Sequence, residues 1–185
     1  MEHLPQVPAS KVVEVRLNKF AVNLASFPVT FLCCAAGVCL ARILPHYRPF
    51  AQWHVPALFG ALLMLVPVHE AMHAVGLRRF AKVSWREIRF GMLWRALVPY
   101  CHCTVPIPLP AYCRMSLLPL WTTGAASLVA LLIFPADWLA VLAGLAIGCC
   151  IGDVWLVAKA RHFDENALVQ DSTSEIGFDV LSAVS

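Results

Sequence analysis

The chain has 185 residues, of which 60% are hydrophobic and only 14% charged, with a mean hydropathy of +0.72. A water-soluble domain is closer to half apolar and a quarter charged, so this composition excludes an ordinary soluble fold and indicates one integral membrane domain spanning residues 1–185. The net charge of +3 is small, and the basic residues fall in loops beside apolar runs, which excludes a nucleic-acid partner and points to membrane topology, with the lipid bilayer as the surrounding medium.

The first residues, Met1 to Lys19, are polar and basic, yet Val13, Val15 and Leu17 alternate with Glu14, Arg16 and Asn18. That period predicts either a short strand or an extended arm on the membrane surface. The apolar run that follows is too long for the core of a cleaved signal peptide and reads as a retained span. It covers residues 20–41, 22 positions without a charge, enough to cross a hydrocarbon core of about 30 Å. Arg42 to His54, with two prolines and the aromatic residues Tyr47, Phe50 and Trp53, predicts a short interfacial turn.

A second span is expected over about residues 55–77. It contains His69-Glu70-Ala71-Met72-His73 inside an otherwise apolar segment. On a helix, two His four apart share a face, so both imidazoles can reach one metal ion, and the intervening Glu70 is placed as general base toward a metal-bound water. The bland account is a pair of packing His with a buried Glu, but an unpaired Glu in an apolar helix is costly and no partner is nearby in sequence. Pro67 removes the helical partner of the Leu63 carbonyl and predicts a bend beside the motif.

Residues 78–114 form the only long loop and hold seven of the fourteen Lys and Arg. Alternation over 83–98 predicts a membrane-associated β-hairpin with its turn at Gly91-Met92, followed by an extended link at Pro99, Pro106, Pro108 and Pro110. A third span is expected at 115–136, a short turn at Ala136, and a fourth span at 138–158, interrupted only by Asp153. Residues 159–185 read as a solvated acidic tail. The predicted fold is therefore an all-α membrane protein of four spans with one small β-hairpin between the second and third.

Counting Lys and Arg gives 3, 7 and 2 on one side and 2 and 0 on the other. The positive-inside rule then places both termini in the cytoplasm, in a multi-pass protein of the cytoplasmic membrane. In that topology the second and fourth spans run the same way. His69 and His73 lie 14 and 18 positions past Val55, and Asp153 lies 15 past Trp138, which puts all three about 21–27 Å from the outer face. Gly144, Gly148 and Gly152, four apart, predict close approach of the fourth span to the second. Asp153 is thus the expected third zinc ligand beside His69 and His73, with a salt bridge to Lys159 or Arg161 as its competing role. Two His and a carboxylate leave a fourth position for water, the layout of a catalytic Zn2+ site.

Cys33, Cys34, Cys39, Cys149 and Cys150 lie in apolar runs and read as small hydrophobes. Cys101, His102, Cys103 and Cys113 suggest a second metal site only weakly, since their spacing fits no common zinc module. His162 and Asp171 either border the site from the cytoplasmic side or, as the preferred reading, belong to the solvated tail.

Taken together, His69-Glu70-x-x-His73, Pro99-Tyr100-Cys101-x-Cys103, Tyr112, Pro119, Gly152-Asp153 and the stretch from Asp171 to Gly177-Phe178 resemble a family of small bacterial membrane proteins described as putative zincin peptidases with a domain of unknown function. More distantly the layout is similar to site-2 proteases, although there the Asp sits in a Leu-Asp-Gly context and here in Gly152-Asp153-Val154. The resemblance implies a zinc-dependent intramembrane or juxtamembrane endopeptidase acting on a membrane-anchored peptide or protein, received as an added strand on the hairpin. The competing classes are a non-enzymatic metal-binding adaptor and, with no second ligand group along a polar path, a divalent-metal transporter. Substrate identity and oligomeric state are not encoded in these features.

Overall fold

In the computed structural model, residues 12–93, 98–172 and 175–181 are described. The fold is mostly helical, with four helices long and apolar enough to cross a membrane, at Lys19–Ile43, His54–Phe80, Leu109–Ile133 and Asp137–Ala160. The first two are continuous helices, α1 (Lys19–Ile43) and α2 (His54–Phe80). Asn18 starts α1 by accepting hydrogen bonds from the backbone N–H groups of Phe20 and Ala21 at 2.9 and 3.2 Å. Phe20, Phe27 and Phe31 on α1, and Phe59 and Leu63 on α2, are exposed, as expected of surfaces that meet lipid and not water.

The third and fourth spans are jointed. The third consists of α3 (Leu109–Pro119), a π-helical turn (Leu120–Gly124) and α4 (Ala125–Ile133). It begins six residues before the expected Met115, because Pro110 fits the first turn of a helix, where its missing N–H costs nothing. The fourth consists of α5 (Asp137–Gly148) and α6 (Ile151–Ala160), separated at Cys149 and Cys150. Both thiols donate to the carbonyl of Ala146, at 3.1 and 3.2 Å, which stabilises that joint.

The glycine stripe packs against the first span, not the second. A Cβ on Gly144 would overlap Cys34, one on Gly148 would overlap Thr30, and one on Gly152 would lie 3.7 Å from Val22. Asp153 follows Gly152 by one residue, about 100° around a helix, so the stripe faces α1 while the carboxylate is free to turn elsewhere.

Two sheets complete the chain, and here the expectation of a helical protein with a lone hairpin needs correction. β1 (Val12–Arg16), β4 (Ile107–Pro108), β5 (Leu168–Asp171) and β6 (Gly177–Leu181) form one antiparallel sheet in the order β1-β6-β5-β4. The residues read as a solvated tail thus pair with the N-terminal strand, Val13 against Val180 and Val15 against Phe178. Phe178, Val169 and Val180 are buried beneath this sheet against Leu77, Tyr112 and Met115, which makes the end of the bundle carrying both termini the main core.

The second sheet is a hairpin of β2 (Ile88–Leu93) and β3 (Val98–Cys103). Its register differs from the expected one. Trp85–Glu87 is a single 3-10 turn, Gly91 lies within a strand, and Pro99 is part of β3 instead of a link after it. Gly91 is opposite Tyr100, whose ring lies across it so closely that a Cβ would overlap the phenol, so the glycine marks close approach and not a turn. The second strand expected around 93–98 lies partly at 94–97, outside the described residues.

Candidate metal centre

His69 and His73 lie one turn apart on α2, both buried, and face each other with Nε2 atoms 3.2 Å apart. Asp153, from α6, meets them: Oδ2 is 3.3 Å from His69 Nε2, and Oδ1 is 3.5 Å from His73 Nε2. A carboxylate oxygen of Glu70 lies within 4.8 Å of a ring nitrogen of each His. Asp153 does not pair with Lys159 or Arg161 among the described residues.

The tautomer of His73 follows from its other nitrogen. Nδ1 is 3.3 Å from the Met115 carbonyl, which can only accept, so Nδ1 carries the proton and Nε2 presents a lone pair. The acceptor is available for a reason written in the sequence. In a helix the Met115 carbonyl would bond the N–H of residue 119, and Pro119 has none. Gly76 brings this carbonyl within reach: a Cβ there would sit 2.9 Å from Met115 Cα, so only glycine lets the backbones of α2 and α3 approach this closely.

The donor set can be tested against zinc. A tetrahedral ion with bonds of about 2.0–2.1 Å holds neighbouring ligand atoms about 3.3–3.4 Å apart. The two Nε2 atoms, 3.2 Å apart, are close to that spacing, and each has one of the two Asp153 oxygens near it, Oδ2 at 3.3 Å from His69 and Oδ1 at 3.5 Å from His73. Asp153 Oδ2 is also buried with no hydrogen-bond partner; Asp137 Oδ1 and Asp179 Oδ1 are too, but each of those has an arginine beside it, and Asp153 has no Lys or Arg beside it among the described residues. The residues fit a two-His, one-carboxylate site with an open position.

His69, Glu70, His73 and Asp153 line a cavity of about 460 Å³ together with residues of α1, α3, β3 and the tail. Asn23, Ser26 and Thr30 give α1 a polar stripe along it. Asp171, expected in a solvated tail, is instead on its wall and accepts a hydrogen bond from the Cys103 N–H at 3.0 Å. Burial pushes the Asp171 carboxyl up to about 6, against the opposing effect of that N–H. Beside it, Gln170 Nε2 donates to the Cys103 carbonyl at 2.9 Å, so the tail takes both backbone groups at the end of β3. In an antiparallel pair alternate residues turn these groups away from the partner strand, so the backbone groups of Cys101, which meet the Glu70 carboxylate, and the Pro99 carbonyl lie along the same edge.

Cys101, His102, Cys103 and Cys113 do not gather into a ligand group among the described residues. Cys103 is buried under the hairpin, and burial pushes the thiols of Cys101 and Cys103 up to about 12 and about 11. His162 is exposed and lies apart from the cavity. Sequence reading missed Cys149 and Cys150, whose sulfurs lie 3.6 and 4.0 Å from His69 Nδ1. Their one signal was position, within four residues of Asp153.

Against known proteins, a family described as putative zincin peptidase matches residues 62–168. The match takes in both His, Glu70, the hairpin, the third span and Asp153. No curated protein and no solved structure matches the chain.

Proposed function

This chain belongs to the putative zincin peptidase family, and from that premise we propose that it is a zinc-dependent endopeptidase cleaving membrane-anchored peptides near the cytoplasmic face. The observation that carries the reading is the convergence of His69 Nε2, His73 Nε2 and the Asp153 carboxylate within 3.5 Å beside a cavity. Zinc held there by these three residues would supply an acidified water and polarise a peptide carbonyl.

The rest of the chemistry falls to the protein's own groups. Glu70 accepts the proton of the attacking water and returns it to the leaving amine, the general acid–base role that its place beside both His allows. His73 is held in its productive tautomer by Met115, and Asp153 offsets the positive charge of the centre. A substrate strand laid along Pro99 and Cys101 would enter the cavity with its carbonyls turned toward the site. Asp171 and Gln170 end that edge at Cys103 and so set how far the strand runs.

The basic loops and the shared sheet of β1 and β6 support termini on one side, which the positive-inside count assigns to the cytoplasm. The test uses the full chain in proteoliposomes, loaded with zinc, and a panel of single-span peptides. Wild type is expected to cleave at least one, and Glu70→Gln to lose about 10²–10⁴-fold of that rate while keeping its metal. Equal cleavage by both proteins would refute the mechanism.

A further inference from the structure

His69 is flanked on both of its nitrogens. Nε2 faces His73 and Asp153, while Nδ1 faces the two thiols at the joint of α5 and α6, Cys149 Sγ at 3.6 Å and Cys150 Sγ at 4.0 Å. The three atoms on the Nδ1 side all lie within 4.8 Å of one another. An ion bound by an imidazole nitrogen at about 2.0–2.1 Å and thiolates at about 2.3 Å sets N and S about 3.5–3.6 Å apart and S and S about 3.8 Å apart. The two observed N–S distances, 3.6 and 4.0 Å, are close to that, and the two sulfurs lie within 4.8 Å of each other. Cys149 is exposed and lines the cavity, which gives an ion a route in.

We propose that Cys149, Cys150 and His69 Nδ1 form a second metal site, for a thiophilic d10 cation such as Cu(I) or Cd(II), that competes with the zinc centre for His69. Two thiolates and an imidazole are a soft donor set, in contrast to the two imidazoles and carboxylate on the other side. A neutral imidazole has one lone pair. When Nε2 offers it to zinc, Nδ1 carries the proton and donates toward Cys149. When Nδ1 offers it to the thiophilic ion, the proton resides on Nε2 and points at His73 and Asp153. Each thiol releases its proton on binding and the imidazole proton moves from one nitrogen to the other, so two protons leave per ion and no electrons are exchanged. Occupation of the thiol site therefore removes a zinc ligand and switches the centre off. The competition rests on the zinc reading above; the thiol site itself does not.

The experiment is a cadmium titration of the reduced, full-length protein in detergent, loaded with zinc where zinc binds. It follows the near-ultraviolet thiolate-to-cadmium charge-transfer band and the zinc released. Wild type should show the band and lose zinc in step with it. Cys149→Ser, Cys150→Ser should weaken the cavity-site affinity by at least about tenfold and retain zinc, which also reports that the variant is folded. His73→Ala should keep the band although it loses zinc. A band of unchanged strength and affinity in the double serine variant assigns the cadmium to other cysteines and overturns the site. A band lost in that variant, with the same zinc release as wild type, overturns the competition. A wild type that holds no zinc but shows a band dependent on Cys149 and Cys150 sinks the zinc reading and leaves the thiol site standing.

Discussion

The fourth span carries two aspartates, one at each end, and their surroundings differ in kind. Asp137, at the start of α5, is met by donors: Tyr47 Oη and the Phe50 N–H donate to Oδ2 at 2.7 and 3.1 Å, and Arg42 Nε lies 3.6 Å from Oδ1. Asp153, in the first turn of α6, is met by two imidazoles; each aspartate has one buried oxygen without a hydrogen bond, but that of Asp137 has a guanidinium beside it, whereas no Lys or Arg stands beside Asp153 among the described residues. A carboxylate met by donors and a guanidinium has its charge offset within the protein and ties α5 to the turn after α1. A carboxylate facing two imidazole nitrogens, with no Lys or Arg beside it among the described residues, is placed to share a cation with them. The partner set, and not the residue type, separates a structural acid from a ligand.

A third carboxylate sharpens this contrast and is expected to give the largest effect on stability. Asp171 has a donor in the Cys103 N–H but no cation within 4 Å among the described residues. Its carboxyl is raised from 3.8 to about 6 by burial. A raised value means that the folded state favours the protonated form, so the stability it contributes is complete below about pH 4 and lost as pH rises through about 6. Asp171→Asn keeps an acceptor for Cys103 without the charge. It should melt several degrees above wild type at pH 7, with the gap closing by pH 4. Thermal unfolding of both proteins across that window checks it, and a constant gap would contradict it.

Next in size, Pro119→Ala restores an N–H that competes with His73 for the Met115 carbonyl. Zinc affinity should fall by about 10–100-fold, the usual range for the loss of a partner that orients a metal-bound His. Competition with a chelator measures this, and the His73 nitrogen shifts should report a mixed tautomer. An unchanged affinity would mean that the carbonyl serves both donors equally well. The smallest effect belongs to the other end of the span. Tyr47→Phe removes one hydrogen bond to Asp137, costs about 1–2 kcal/mol of stability, and should leave zinc affinity untouched.

The spans and the motif were legible in the sequence because both are local. Twenty-two uncharged residues are long and apolar enough to cross a membrane, and His69 and His73, four apart on a helix, share a face. What was misread depended on partners far away in the chain. The stripe of Gly144 and Gly148 states that some backbone comes close but not that it is Cys34 and Thr30 of α1. The residues around Phe178 look solvated until β1 pairs with them, 162 positions earlier at Arg16. Gly91 reads as a turn because its neighbour Tyr100 is nine residues on. Asp153 stands out as the one charge in the fourth apolar run at the depth of the two His, whereas Cys149 and Cys150 do not, because thiols in an apolar run resemble any other small side chain.

The central claim is that Asp153 binds a zinc ion together with His69 and His73, while Asp137, met by donors, does not. Zinc content after reconstitution and desalting, measured on wild type, Asp153→Ala and Asp137→Asn, tests it most directly. The account predicts about one zinc per chain in wild type and Asp137→Asn and nearly none in Asp153→Ala. Equal zinc in wild type and Asp153→Ala, or none in any of the three, would contradict it.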